Sequence, residues 1–135
     1  MNSFDIENSI PNYWLSCLLI DEEAMCRQLR SDSEAMYVTE NKKSCPTEIL
    51  ETLTKYNAEG RPIWKPMHLQ LLYINNDFVT KHGSGRGKSN AYIDTDYASD
   101  TGSDIFARGL CLPSDNKMTE KEQNRIIEIV KNCFK

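Results

Sequence analysis

The stretch Arg61-Pro62-Ile63-Trp64-Lys65-Pro66-Met67-His68-Leu69-Gln70 concentrates more chemistry than any other part of the chain. It holds two prolines, an indole, two cations and an imidazole within ten residues. Each proline fixes its own φ and pushes the residue before it toward extended geometry. Arg61 and Lys65 each precede a proline, so both are held out of a regular helix. Cations that cannot relax into helix, beside an aromatic face, suit a sugar linked to phosphates. The cations meet the pyrophosphate, and the indole packs on the sugar or on a cofactor edge. Taken singly, the same residues have plainer readings. Trp64 alone is more often core than a ligand platform, the prolines fit a turn, and the cations fit open solvent. The conjunction is what suggests the wall of a binding site.

A second run, Gly83-Ser84-Gly85-Arg86-Gly87-Lys88-Ser89, imitates a P-loop. That motif is G-x-x-x-x-G-K-[ST] between a strand and a helix. Counting back from Gly87-Lys88-Ser89, the first glycine belongs at position 82, which is His82. No apolar strand leads in and no apolar helix follows. Two readings stay open. One is a solvated loop. The other is an anion-touching loop, in which N–H groups bared by the glycines act with Lys81, Arg86 and Lys88. Arg86 and Lys88 are the candidate phosphate contacts. His68 and His82 are the two histidines, and they form no H-x-x-x-H or H-E-x-x-H. Asp94, Asp96 and Asp100 lack the central glycine and terminal glutamate of a calcium loop, so they read as turn residues and no metal site is expected. With no nucleophile elbow either, a triad hydrolase has little support.

The elements that must position these residues belong to one domain, as 135 residues allow. A net charge of -4 argues against a general nucleic-acid or anionic-membrane binder. The five cysteines include no C-x-x-C, so a zinc ribbon is not expected. Cys17, Cys111 and Cys133 lie among apolar residues and read as buried small hydrophobes. Reduced thiols suit a cytoplasmic protein. The polar, acidic N-terminus does not resemble a targeting segment. The apolar run from Tyr13 to Ile20 is far shorter than the ~20 residues of a spanning helix.

Residues 1–11 read as a linker leading into a domain over 12–135. Tyr13 to Ile20 predicts a strand buried on both faces. A short helix is possible over Ala24 to Leu29. Pro46 opens a helix whose apolar face is Ile49, Leu50 and Leu53, with Tyr56 alongside and a possible Glu51–Lys55 pair. Asn57 and Gly60 stop it, and the decamer follows as a short strand and a turn. Residues 75–103 read as a long irregular loop. Gly109 to Leu112 predicts a strand closed by Pro113. Thr119 and Glu122 form a capping box for a last helix, with Ile126, Ile127, Val130, Cys133 and Phe134 on one face. The fold class is α+β, a small and mostly antiparallel sheet with helices packed on one face.

The decamer resembles the RPxWKPxHLQ stretch in the C-terminal domain of the DegT/DnrJ family of sugar aminotransferases. The similarity extends to Asn12-Tyr13-Trp14-Leu15-Ser16-Cys17, to Cys45-Pro46-Thr47-Glu48-Ile49-Leu50 and to Asp104 through Ser114 (DIFARGLCLPS). These segments fall in the family's order and span Asn12 to Phe134. One departure is Gln70-Leu71, where the family commonly has Q-P. The resemblance implies the C-terminal domain of a fold-type I enzyme that uses pyridoxal phosphate (PLP). That enzyme transfers an amino group, usually from glutamate, to a nucleotide-linked keto sugar in amino-sugar biosynthesis. It implies that Arg61, Trp64, Lys65 and His68 face substrate or cofactor, and that Leu110 to Ser114 is framework. It also implies that the Schiff-base lysine and most phosphate contacts belong to a large N-terminal domain, a partner this chain lacks. No catalytic residue and no PLP binding by this chain alone are then expected, and the parent enzyme would be a homodimer. The alternative is a stand-alone binding or interaction module that kept the fold without the chemistry.

Overall fold

Gly109–Leu112 (β5) is the strand around which the sheet is built. It is short, apolar and free of charge, which suits a central position. Ser16–Leu19 (β1) pairs with it antiparallel on one side, and Arg61–Pro62 (β4) pairs antiparallel on the other. The order is β1-β5-β4. The computed structural model describes residues 8, 10, 12, 14–30, 35–73, 76 and 101–135. The stretches 1–7, 31–34 and 77–100 lie outside them, so most of the expected linker and of the expected 75–103 loop is not described.

Alternation along the strands sends one set of side chains to each face. Leu18, Leu110 and Leu112 turn toward two helices, Pro46–Lys55 (α1) and Glu120–Asn132 (α3). Ile20, Ile49, Leu53, Leu110, Ile126 and Ile129 form the buried core between them. This is the expected α+β class, with antiparallel pairing and helices against one face of the sheet.

α1 begins as expected, with buried Pro46 at its first turn, where a missing N–H costs nothing. The Ser44 hydroxyl, fully buried, donates to Glu48 at 2.7 Å. The helix ends on Asn57, whose φ of 55° is left-handed. Ala58 N–H reaches the Leu53 carbonyl at 2.9 Å, and Asn57 N–H reaches that of Thr54 at 3.0 Å. This is a Schellman close with Asn in the place glycine usually takes. Glu51 accepts from the Tyr37 hydroxyl at 3.3 Å. Gly60 matters through packing: a Cβ there would sit 2.8 Å from Leu50 Cδ2 and 2.9 Å from Leu53 Cδ1.

Several sequence expectations need correction. The first strand exists but is not buried on both faces. Cys17 is exposed and Leu19 is 46% exposed, because among the described residues β1 is an edge strand and only one of its faces meets helices. Cys17 therefore is not a buried small hydrophobe. The most buried thiols include Cys26 and Cys45, at 2% and 0% exposure, along with the expected Cys111. Residues 24–29 do not form a helix. A single 3-10 turn, Glu22–Ala24, is followed by a hairpin of Gln28–Arg30 (β2) and Ala35–Tyr37 (β3). On α3, Ile127 is exposed and Ile129 is buried, since the stripe facing the sheet runs through 126, 129–130 and 133.

A further helix, Thr101–Arg108 (α2), takes in the last three residues of the expected loop and runs directly into β5. Its end is fixed by Arg108. The guanidinium meets Asp104 through two 2.6 Å hydrogen bonds and donates a third, also 2.6 Å, to the Ile20 carbonyl. Ile20 N–H in turn reaches the Arg108 carbonyl at 3.1 Å. The Arg108–Ile20 hydrogen bonds thus tie α2 to the end of β1, while the bidentate pair with Asp104, within α2, holds the guanidinium in place. No helix among the described residues is long and apolar enough to cross a membrane.

Candidate functional site

The decamer leaves the sheet at β4 and becomes irregular at once. Arg61 sits opposite Cys111 and Pro62 opposite Leu110, so the first two residues are ordered by β5. Pro62 also gives up a donor that a longer ladder would need, and the strand stops there. After Pro66 the chain makes a 3-10 turn, Met67–Leu69. Gln70 folds back over it, donating its side-chain amide to the Lys65 carbonyl at 3.3 Å. Leu69, 5% exposed, is the buried anchor of the turn. The expected short strand and turn are thus both present.

Trp64 projects outward and is 63% exposed. That answers one question the sequence left open: this indole is not a core residue among the described packing. Its neighbour is Trp14, itself 68% exposed, with ring centroids 5.7 Å apart and planes tilted by 31°. Offset, tilted aromatic pairs at this distance attract through their quadrupoles. The pair joins the segment before β1 to the decamer and presents apolar surface.

The cations differ in their surroundings. Arg61 is 75% exposed in its side chain and pairs with Glu59 at 2.6 Å. So exposed a pair holds the guanidinium loosely. Lys65 is half-buried. His68 lies in the 3-10 turn, with Nε2 3.2 Å from the Ser103 hydroxyl of α2. Ser103 is 9% exposed, so this contact docks the turn on the helix. Arg86 and Lys88 lie outside the described residues. The structure therefore brings Trp64 to Trp14 and His68 to Ser103.

Trp14 and Ser103 are the residues that sequence reasoning missed. Trp14 was hidden inside an apolar run that read as buried strand. The available signal was its neighbour Asn12, whose side chain accepts from Trp14 N–H at 3.1 Å and belongs to a turn, not to a strand interior. Ser103 lay in a stretch read as loop and carried no signal.

Comparison with known proteins shows a similarity to part of another chain. Over 92 residues, 66% of this chain, the sequence is 38% identical to EpsN of Bacillus subtilis (strain 168). The name of that protein provisionally assigns it to the pyridoxal phosphate-dependent aminotransferases. The chain is similar to part of an aminotransferase. The match spans only 19% of the relative's length. No family model matches the chain.

A PLP site needs an enclosed lysine amine, an acidic partner for the ring nitrogen and an anion cradle. The described lysines do not supply the first of these. Lys42, Lys55, Lys117, Lys121, Lys131 and Lys135 are exposed, Lys43 lies 3.9 Å from Glu40, and Lys65 is only half-buried. The described residues alone therefore do not fit the cofactor.

Proposed function

We propose that this chain is the C-terminal, substrate-side domain of a PLP-dependent aminotransferase of the DegT/DnrJ family acting on a nucleotide-linked keto sugar. The observation that carries the reading is the exposed Trp14–Trp64 pair, whose Trp64 lies on the segment that also holds Arg61, Lys65 and His68. An apolar aromatic surface flanked by cations suits a sugar bearing a charged pyrophosphate. Identity of 38% to an aminotransferase over two-thirds of this chain supports the same reading. In it, Trp64 and Trp14 pack against the sugar or the cofactor edge, and Arg61 and Lys65 hold phosphate oxygens. His68, steadied by Ser103, orients the substrate. A large domain supplies the lysine and the cofactor cradle, and the cofactor supplies the electron sink for amino transfer. The partners are that domain, the nucleotide sugar and, in the assembled enzyme, a second subunit. A cytoplasmic setting agrees with the free thiols.

Reconstitution tests the proposal. The chain is mixed with a separately produced large domain from the N-terminal part of EpsN, together with PLP, glutamate and nucleotide-linked keto sugars. Cofactor absorbance and 2-oxoglutarate release are followed. Both should change only when the two pieces are combined, and Lys65→Ala should weaken the response. A chain that neither binds the large domain nor alters its absorbance would instead be a stand-alone module.

A further inference from the structure

The sheet face turned away from α1 and α3 carries two thiols that the proposed function does not use. Cys17 of β1 and Cys111 of β5 are direct cross-strand partners, and their sulfurs lie 3.7 Å apart. Residues directly opposite on antiparallel strands have Cα atoms about 4.5–5.5 Å apart. A disulfide spans about 4.4–6.8 Å between Cα atoms and about 2.05 Å between sulfurs. The backbone already holds the two residues at bridging distance, and only side-chain rotation is needed. Access differs between them. Cys17 is exposed and Cys111 is 3% exposed, so a reagent reaches the first and not the second. The other neighbouring thiols, Cys26 and Cys45, are both shut away from solvent, and burial followed by the Cys45 hydrogen bond pushes Cys26 up to about 12.

We propose that Cys17 and Cys111 form a reversible thiol-modification site that reacts with small-molecule disulfides and closes to a cross-strand disulfide. The Cys17 thiolate attacks one sulfur of a disulfide RSSR. The S–S bond breaks, a mixed Cys17–S–S–R bond forms, and one RS⁻ leaves and takes up a proton. Cys111 then gives its proton to solvent and attacks the Cys17 sulfur. The mixed bond breaks, the Cys17–Cys111 bond forms, and the second RS⁻ leaves as RSH. Two protein thiols lose two electrons and two protons, and RSSR is reduced to two RSH. The second step is the slow one, because burial, then the contact with Cys17, raises the Cys111 thiol to about 11. The bridge staples the edge strand to the centre of the sheet. It lies in the same cross-strand row as Arg61, and on the strand that follows Trp14. Modification therefore stiffens the frame of the candidate site without consuming any of its residues.

The test is timed treatment of the full chain with glutathione disulfide, followed by acid quench, alkylation and peptide mapping by mass spectrometry. The expected result is a transient glutathione adduct on Cys17, then a Cys17–Cys111 linked peptide that dithiothreitol reverses. Cys111→Ser should stop at a stable adduct on Cys17, and Cys17→Ser should leave position 111 unmodified. Closure should quicken about tenfold per pH unit between pH 7 and 9, following the Cys111 thiolate fraction. A wild-type chain that keeps a stable adduct, links other cysteines, or does not react overturns the proposal.

Discussion

Trp64 is the residue on which the stability and the functional readings separate. A tryptophan in the core costs about 3–5 kcal/mol when cut to alanine. Trp64 is 63% exposed and pairs with Trp14, so the loss should be near that of one aromatic pair, about 0.5–1.5 kcal/mol. Urea titration of Trp64→Ala should show that small shift with an unchanged slope. The emission of Trp14, left without its partner, should change at the same time. In an assembled enzyme the same substitution should impair sugar turnover more than folding. A loss above about 3 kcal/mol would return Trp64 to the core and remove it from the site. Trp64 also shows where sequence reading stops. Residue types mark both core and platform, and only the position of β4 at the sheet edge decides between them.

At the scale of elements, what was legible is what neighbours in sequence determine. α1 and α3 could be read because caps and apolar spacing lie within a few residues of each other. The capping box shows this: Thr119 N–H donates to Glu122 at 2.8 Å, and Glu122 N–H donates to the Thr119 hydroxyl at 3.3 Å. The burial of β1 could not be read, since it depends on β5, more than ninety residues later in the chain. The β2–β3 hairpin was missed because Leu29 and Met36, its cross-strand pair, point outward at 58% and 49% exposure and leave no amphipathic signature. Two predictions belong here. Gly60→Ala should destabilise by about 1–3 kcal/mol, through the clash of its Cβ with Leu50 and Leu53 on α1, measurable as a lower urea midpoint. Thr119→Ala should cost about 1 kcal/mol as a lost cap. The cap also carries a pH dependence. The Thr119 backbone N–H, then its hydroxyl, hold the Glu122 carboxyl below its usual range. A lowered folded value means that the contribution is complete above about pH 4.3, the ordinary glutamate value, and fades as pH falls through the folded value. Far-ultraviolet circular dichroism at falling pH should show wild type losing this contribution, and Thr119→Ala showing a flatter profile.

On the scale of the whole molecule, the two sheets should differ in how tightly they are held. β5 has a strand on each side and Leu110 fully buried beneath α1 and α3. Opening it means exposing the core, so its amides should exchange only through global unfolding. Among the described residues the β2–β3 hairpin has two strands and no third, and isolated pairs of this kind are marginal in water. Among the described residues, side-chain hydrogen bonds hold one of its faces. The Thr47 hydroxyl donates to the Gln28 side chain at 3.0 Å, Gln28 donates to the Ala107 carbonyl at 2.7 Å, and Tyr37 reaches Glu51. Leu29, Met36 and Val38 on the other face remain 58%, 49% and 46% exposed. Opening the hairpin breaks these three side-chain hydrogen bonds, about 0.5–1.5 kcal/mol each, while Ile49, Leu53 and Leu110 belong to the core under the other sheet. Hydrogen exchange should therefore rank the amides of 109–112, 49–53 and 126–130 as slowest. Those of 28–30 and 35–37 should open at a free energy several kcal/mol lower, and with a smaller denaturant dependence, because less surface is exposed. If the hairpin amides exchanged as slowly as those of β5, with the same denaturant slope, the two sheets would be one cooperative unit. The outer face of the hairpin would then have to be covered by something beyond the contacts described.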